Sequence, residues 1–193
     1  MKITLVTHNV FKVQEFRSVL EPEITVDHLD FEYPELRSDD PSDIVKAASK
    51  VLAENLKKPV VVEDSGFFID ALDGFPGTCT AYIYKRIGNP GFLKLMRNVL
   101  QRRCWYKSAI GYCAPGKDPV SFTGQEEGRV ALTPRGEHGW GQDPIFIPKG
   151  KRKTYGELRK EGDVNKFRKD ALLSLRRYLL GQRLLKIKLK SPV

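Results

Sequence analysis

The chain has 193 residues, 40% of them hydrophobic and 30% charged. That is enough to bury the core of one domain of roughly 100–200 residues, and it excludes a disordered or collagen-like chain. The net charge is +9, and residues 145–193 alone hold 15 Lys/Arg against 4 Asp/Glu. Such a basic segment suits nucleic acid, a small polyanionic substrate or a solvated face. No apolar run approaches the ~18 residues of a membrane span. The start, Met1 to Leu5, runs into a strand pattern without a signal-peptide plan. Cys79, Cys104 and Cys113 are odd in number and form no C-x-x-C. Disulfides and zinc are disfavoured, and the expected compartment is the cytoplasm.

Lys2 to Val6 reads as a short strand. Thr7-His8-Asn9 follows, with Thr7 or Asn9 suited to cap a helix that turns Phe11, Val13, Phe16, Val19 and Leu20 inward. Lys12 falls in the first turn, where the helix dipole disfavours a cation unless an anion is also bound. Thr7, Asn9 and Lys12 therefore suggest a phosphate cradle, against the alternative of a plain strand-to-helix turn. Ile24–Leu29 suits a second strand, and residues 31–36 an acidic loop. A helix opens at Ser38-Asp39-Asp40-Pro41, with Ile44, Ala47, Ala48, Val51, Leu52 and Leu56 on its apolar face.

Pro59 to Gly66 carries the most chemistry. Its three valines suit a strand buried on both faces, and the run ends in Glu63-Asp64-Ser65-Gly66. Adjacent carboxylates at the end of a buried strand call for positive charge, and a divalent cation is the favoured partner. The alternative is a helix start capped by Asp64 or Ser65. Helices are expected at 67–72 and 91–100, and strands at 105–113, 120–125 and 128–132, the strands forming an antiparallel meander. Gly111 to Asp118 approaches a phosphate-loop pattern but lacks its hydroxyl and its helix, and Pro115-Gly116 reads as a hairpin turn. Gly139-Trp140-Gly141-Gln142-Asp143-Pro144 is a second dense stretch. Either a base stacks on Trp140 while Asp143 meets its edge, or Trp140 is a core residue in a bend. One helical turn at 154–158, a closing helix at 167–180 and a basic tail at 182–193 complete the chain. The expected domain is 1–181, an α/β fold, because helices and strands alternate through its first half.

Thr7-x-Asn9-x-x-Lys12, Glu35, Val62 to Gly66, Phe75-Pro76-Gly77 and Gly141-x-Asp143-Pro144-Ile145-Phe146 occur in this order. Together they resemble the inosine/xanthosine triphosphate pyrophosphatase family, the HAM1-like house-cleaning NTPases, over the chain to about Leu180. The resemblance implies an elongated mixed sheet in two lobes, helices around it, a central nucleotide-binding cleft and a homodimer. It implies Mg²⁺-dependent hydrolysis of ITP, dITP and XTP to monophosphate and pyrophosphate. Asp64 becomes the catalytic carboxylate and a metal ligand, and Glu35 the second ligand. Thr7, His8, Asn9, Lys12 and Ser65 become substrate contacts. So do Trp140, Gly141, Gln142, Asp143, Phe167 and Arg168.

The chain departs from the family at four places. His8 stands where glycine is usual, Gln142 where an aromatic is usual, and Lys166-Phe167-Arg168 where the family has Ser-His-Arg. The family lysine falls on Gly162, with Lys160 or Lys166 as substitutes. Phe167 cannot donate a hydrogen bond to a 6-oxo group, so Arg168 and backbone N–H groups become the expected donors. The rival readings are a nucleic-acid-binding module and a nucleotide-binding protein that has lost catalysis. The carboxylate cluster, which repels phosphates without a metal, makes a nucleic-acid partner the weaker of these.

Overall fold

The computed structural model describes residues 1–159 and 164–188. Seven strands pair in one mixed sheet: β1 (Lys2–Val6), β2 (Thr25–Leu29), β3 (Val60–Ile69), β4 (Pro76–Gly77), β5 (Arg103–Cys113), β6 (Val120–Val130) and β7 (Phe146–Pro148). Their order is β2-β1-β3-β5-β6-β7, with β4 also on β3. The helices are α1 (Val10–Leu20), α2 (Pro41–Leu56), α3 (Thr80–Leu95), α4 (Tyr155–Leu158) and α5 (Lys166–Lys188). The chain divides into two compact units. The first takes Met1–Asp64, Ala109–Thr123 and the chain from Arg168 onward, and the second takes Ser65–Ser108 and Gly124–Phe167.

In the first unit, β1 lies parallel to both β2 and β3. Side chains on a strand alternate between its faces. Val61 accordingly joins Ile3 and Leu5 in a core closed by Val13, Phe16 and Leu20 of α1 and Leu172, Leu175 and Leu179 of α5. Val60 and Val62 face the other way, into a core with Val45, Ala48, Leu52 and Ala53 of α2. The valine run is thus buried on both faces, as its composition demands. Asn9 is the cap of α1, its side chain accepting from the backbone N–H groups of Phe11 and Lys12. Asp40 caps α2, with Pro41 in the first turn.

The second unit has its own core, where Phe67, Phe92, Tyr106, Phe146, Tyr155 and Phe167 are all buried. Here the structure corrects several expectations. Residues 67–69 continue β3 rather than start a helix, because Phe67 and Phe68 pair antiparallel with Gly77 and Pro76. Only Asp70–Leu72 turns, as a short 3-10 segment, so neither Asp64 nor Ser65 caps a helix. Gly66 permits the pairing, since a Cβ there would lie 2.4 Å from the Gly77 carbonyl oxygen. The helix expected at 91–100 is α3, which starts earlier and is interrupted at Gly88, ahead of Pro90. The two strands expected between 120 and 132 are one, β6, held extended by the pairing of Gly128, Arg129 and Val130 with β7.

The closing helix α5 does not stop at Leu180 but runs to Lys188. Gly181 lies within it, with open space where a Cβ would stand. The boundary expected at 182 is therefore not an end of secondary structure. Lys160 and Gly162, two of the positions considered for the family lysine, and the end of the expected tail lie outside the described residues.

Candidate functional site

Alternation along β3 sends its two adjacent carboxylates, Glu63 and Asp64, in opposite directions. Glu63 follows Val61 toward α1 and α5 and is buried, at 7% exposure. Lys12 of α1 meets it there, with Nζ 2.5 Å from Glu63 Oε2 and 3.1 Å from its backbone oxygen. Arg168 of α5 meets the same carboxylate, with Nε 3.1 Å from Oε1, while its Nη1 lies 2.6 Å from Glu15 Oε2. Burial alone would depress the Arg168 guanidinium, but Glu63 and Glu15 outweigh it and hold the group above its ordinary range. The positive charge that Glu63 requires is thus supplied by two side chains of its own unit.

Asp64 follows Val62 toward the opposite side. Tyr33 marks its surroundings. Burial raises the Tyr33 phenol well above its usual value, and the negative charges of Glu35, Asp64 and Glu63 raise it further. Its hydroxyl also hydrogen-bonds the Glu35 carboxylate. Glu35 and Asp64 are therefore gathered about one phenol, although 28 residues of loop and helix separate them in the chain. Two carboxylates brought together in this way could offer a few oxygens to a divalent cation. Among the described residues, no group of three or more His, Cys, Asp or Glu side chains could hold a metal ion. Thr7 accepts from the Asn9 backbone N–H at 3.2 Å, and His8 lies exposed beside Asp30. His28 is exposed and reaches the Thr7 carbonyl oxygen.

In the second unit, Trp140 is 40% exposed, which removes it from the core. Asp143 is buried. Its Oδ2 accepts from the Trp140 backbone N–H at 3.1 Å and from Arg159, with Nε at 3.1 Å and Nη2 at 2.5 Å. The Arg159 guanidinium also lies over the Trp140 ring, 4.1 Å from its centroid. Gly141 has a φ of +59°, and its carbonyl oxygen accepts from the Asn89 side chain. Gln142 is buried. Phe167 is buried too and stacks on Tyr106 at 4.9 Å, so the residue standing for the family histidine is a core side chain of this unit. Ser65, half-buried, opens the segment of β3 that belongs to this unit.

The sequence reading did not find Glu15, Tyr33 or Arg159. Glu15 lies one turn after Lys12 on α1, a spacing that puts both on one helix face and was available as a signal. Nothing in the sequence marks Arg159, which follows a single helical turn.

Residues 3–178 match the family model described as the Ham1 family. A dITP/XTP pyrophosphatase of Methanopyrus kandleri is 47% identical over 159 residues, covering 82% of this chain and 85% of the relative. A dITP/XTP pyrophosphatase of Korarchaeum cryptofilum is 42% identical over 172 residues, covering 89% and 92%. Among solved structures, the Staphylococcus aureus Ham1 protein superposes with a TM-score of 0.82 at 26% identity, over 94% of this chain and all of that one. With the match running from β1 into α5, through both carboxylates of β3 and the Trp140–Asp143 turn, the chain belongs to the Ham1 family.

Proposed function

We propose that this chain hydrolyses non-standard purine nucleoside triphosphates, of the dITP, ITP and XTP class, to the monophosphate and pyrophosphate. One observation carries the reading: β3 carries two adjacent carboxylates, of which one is neutralised internally and the other is gathered with Glu35. The names of the relatives support the same substrate class.

Attack of water on phosphorus needs positioning and charge neutralisation more than covalent help. In this reading Asp64 accepts a proton from the attacking water. Lys12 turns from Glu63 toward a phosphate oxygen, and Thr7, His8, Asn9 and Ser65 line the phosphate path. Trp140, in the second unit, stacks the base, with the Gly141–Asp143 turn beside it. Glu35 and Asp64 would hold Mg²⁺, which when bound neutralises charge on the phosphates. Free cysteines at 79, 104 and 113 fit a reducing cytoplasm. No helix among the described residues is long and apolar enough to cross a membrane. The same reading takes the protein as a homodimer and gives it no nucleic-acid partner.

The decisive experiment measures pyrophosphate released from ITP, XTP, dITP, GTP and ATP with Mg²⁺ varied. Release from the 6-oxo purines ahead of ATP is expected, and no release from any of them would sink the reading. Lys12→Ala should raise KM for every triphosphate by a similar factor, since it meets phosphates and not bases. A changed base preference with unchanged KM for ITP would contradict that role. Glu35→Gln should shift the Mg²⁺ titration to higher concentration, and a curve superimposed on wild type would remove Glu35 from the ligand set.

A further inference from the structure

The side chain of Asp143 sits beside the aromatic platform, where a carboxylate could read a base edge, yet its bonds run elsewhere. Oδ2 accepts from the Trp140 backbone N–H and from two nitrogens of Arg159. The Arg159 guanidinium carbon in turn lies over the Trp140 ring, 4.1 Å from its centroid. The three residues form a closed circuit, from backbone of 140 to carboxylate of 143 to guanidinium of 159 and back to the indole of 140. Gly139 makes room for it. A Cβ at 139, where φ is +96°, would stand 2.2 Å from Asp143 Oδ2 and 2.6 Å from Arg159 Nε.

We infer that Asp143 and Arg159 form a brace that fixes Trp140 as the stacking surface for the base, and that Asp143 does not itself choose the base. This rests on the function proposed above. A guanidinium over one face of an indole and anchored by a two-nitrogen fork to a buried carboxylate holds the ring in one orientation. Trp140, beside this cation, is still 40% exposed. Stacking is largely indifferent to the edge of the base. Fixing the ring in advance lowers the ordering cost of binding for every base alike. Arg159 and Asp143 are therefore positioning residues.

The test compares kcat and KM for ITP, XTP and ATP in wild type, Arg159→Ala, Arg159→Lys and Asp143→Asn, together with calorimetric binding of IMP. Arg159→Ala and Asp143→Asn should raise KM on the order of tenfold for all three nucleotides, with kcat nearly unchanged and the ITP-to-ATP ratio preserved. Arg159→Lys, which keeps the cation but loses the fork, should fall between. IMP affinity should drop by the same factor as KM rises. If Asp143→Asn changes the ITP-to-ATP ratio while Arg159→Ala does not, Asp143 reads the base and the brace is overturned. Wild-type KM in Arg159→Ala overturns it as well. If wild type hydrolyses none of the triphosphates, the functional proposal fails separately. IMP binding then decides the brace: a loss in Arg159→Ala supports it, and equal or absent binding in both proteins overturns it.

Discussion

Asp64→Asn is expected to lower turnover of ITP by at least about 10²-fold while leaving the melting temperature close to that of wild type. The substitution keeps the shape of the side chain and removes its charge. A group that both accepts the proton of the attacking water and ligates the metal loses both roles at once, and general-base contributions alone are of that order. The fold should tolerate the change. Asp64 is only half-buried, and the buried ion network on β3 is built on its neighbour Glu63. Steady-state pyrophosphate release and a thermal melt check the two halves of the claim. Near-normal turnover would move the catalytic role off Asp64. A large loss of stability would mean that Asp64, like Glu63, is a structural ion-pair partner.

Arg168→Ala should act in the opposite sense, on stability first. Arg168 is 5% exposed, and its guanidinium lies between two carboxylates, Glu63 and Glu15. Removing one partner of a buried pair leaves an uncompensated charge and costs about 3–5 kcal/mol. For a chain of this size that corresponds to a fall of roughly 6–20 °C in melting temperature. Lys12 remains beside Glu63 and limits the loss at that carboxylate. Arg168→Lys should be milder, because it keeps the charge and loses only the forked geometry. A melting temperature for Arg168→Ala within a degree or two of wild type would show that the network contributes little. The position was expected to supply a hydrogen-bond donor to the base. In this structure its Nε and Nη1 face carboxylates of its own unit.

Much of the first unit was legible in the sequence because its signals are local. A run of three valines needs two apolar faces, and both are present. Asn9, Asp40 and Pro41 stand where caps belong, and each does cap or open its helix. The ordered motifs pointed to the Ham1 family, to which the chain belongs. Trp140, left open between platform and core, is half-exposed and so not a core residue.

The errors came where a distant partner outweighed local preference. Phe67 to Ile69 remain a strand only because Pro76 and Gly77 return alongside. Residues 120–130 form one strand between β5 and β7, and its last three residues, Gly128 to Val130, pair with β7, which begins at Phe146. The site divides in the same way. The sequence by itself determined that two adjacent carboxylates follow a buried valine run and need opposite charge, although the strand continues through them to Ile69. It could not assign a partner to each. That was decided by the alternation of side chains on β3 together with what lies on each face. Lys12 and Arg168, 156 residues apart in the chain, are on the Glu63 side, and Tyr33 with Glu35 is on the Asp64 side. Likewise Asp143 and Trp140 were visible as a motif, but Arg159 became their neighbour only when α4 packed against their turn, because a contact between a guanidinium, a carboxylate and an indole has no sequence period to announce it.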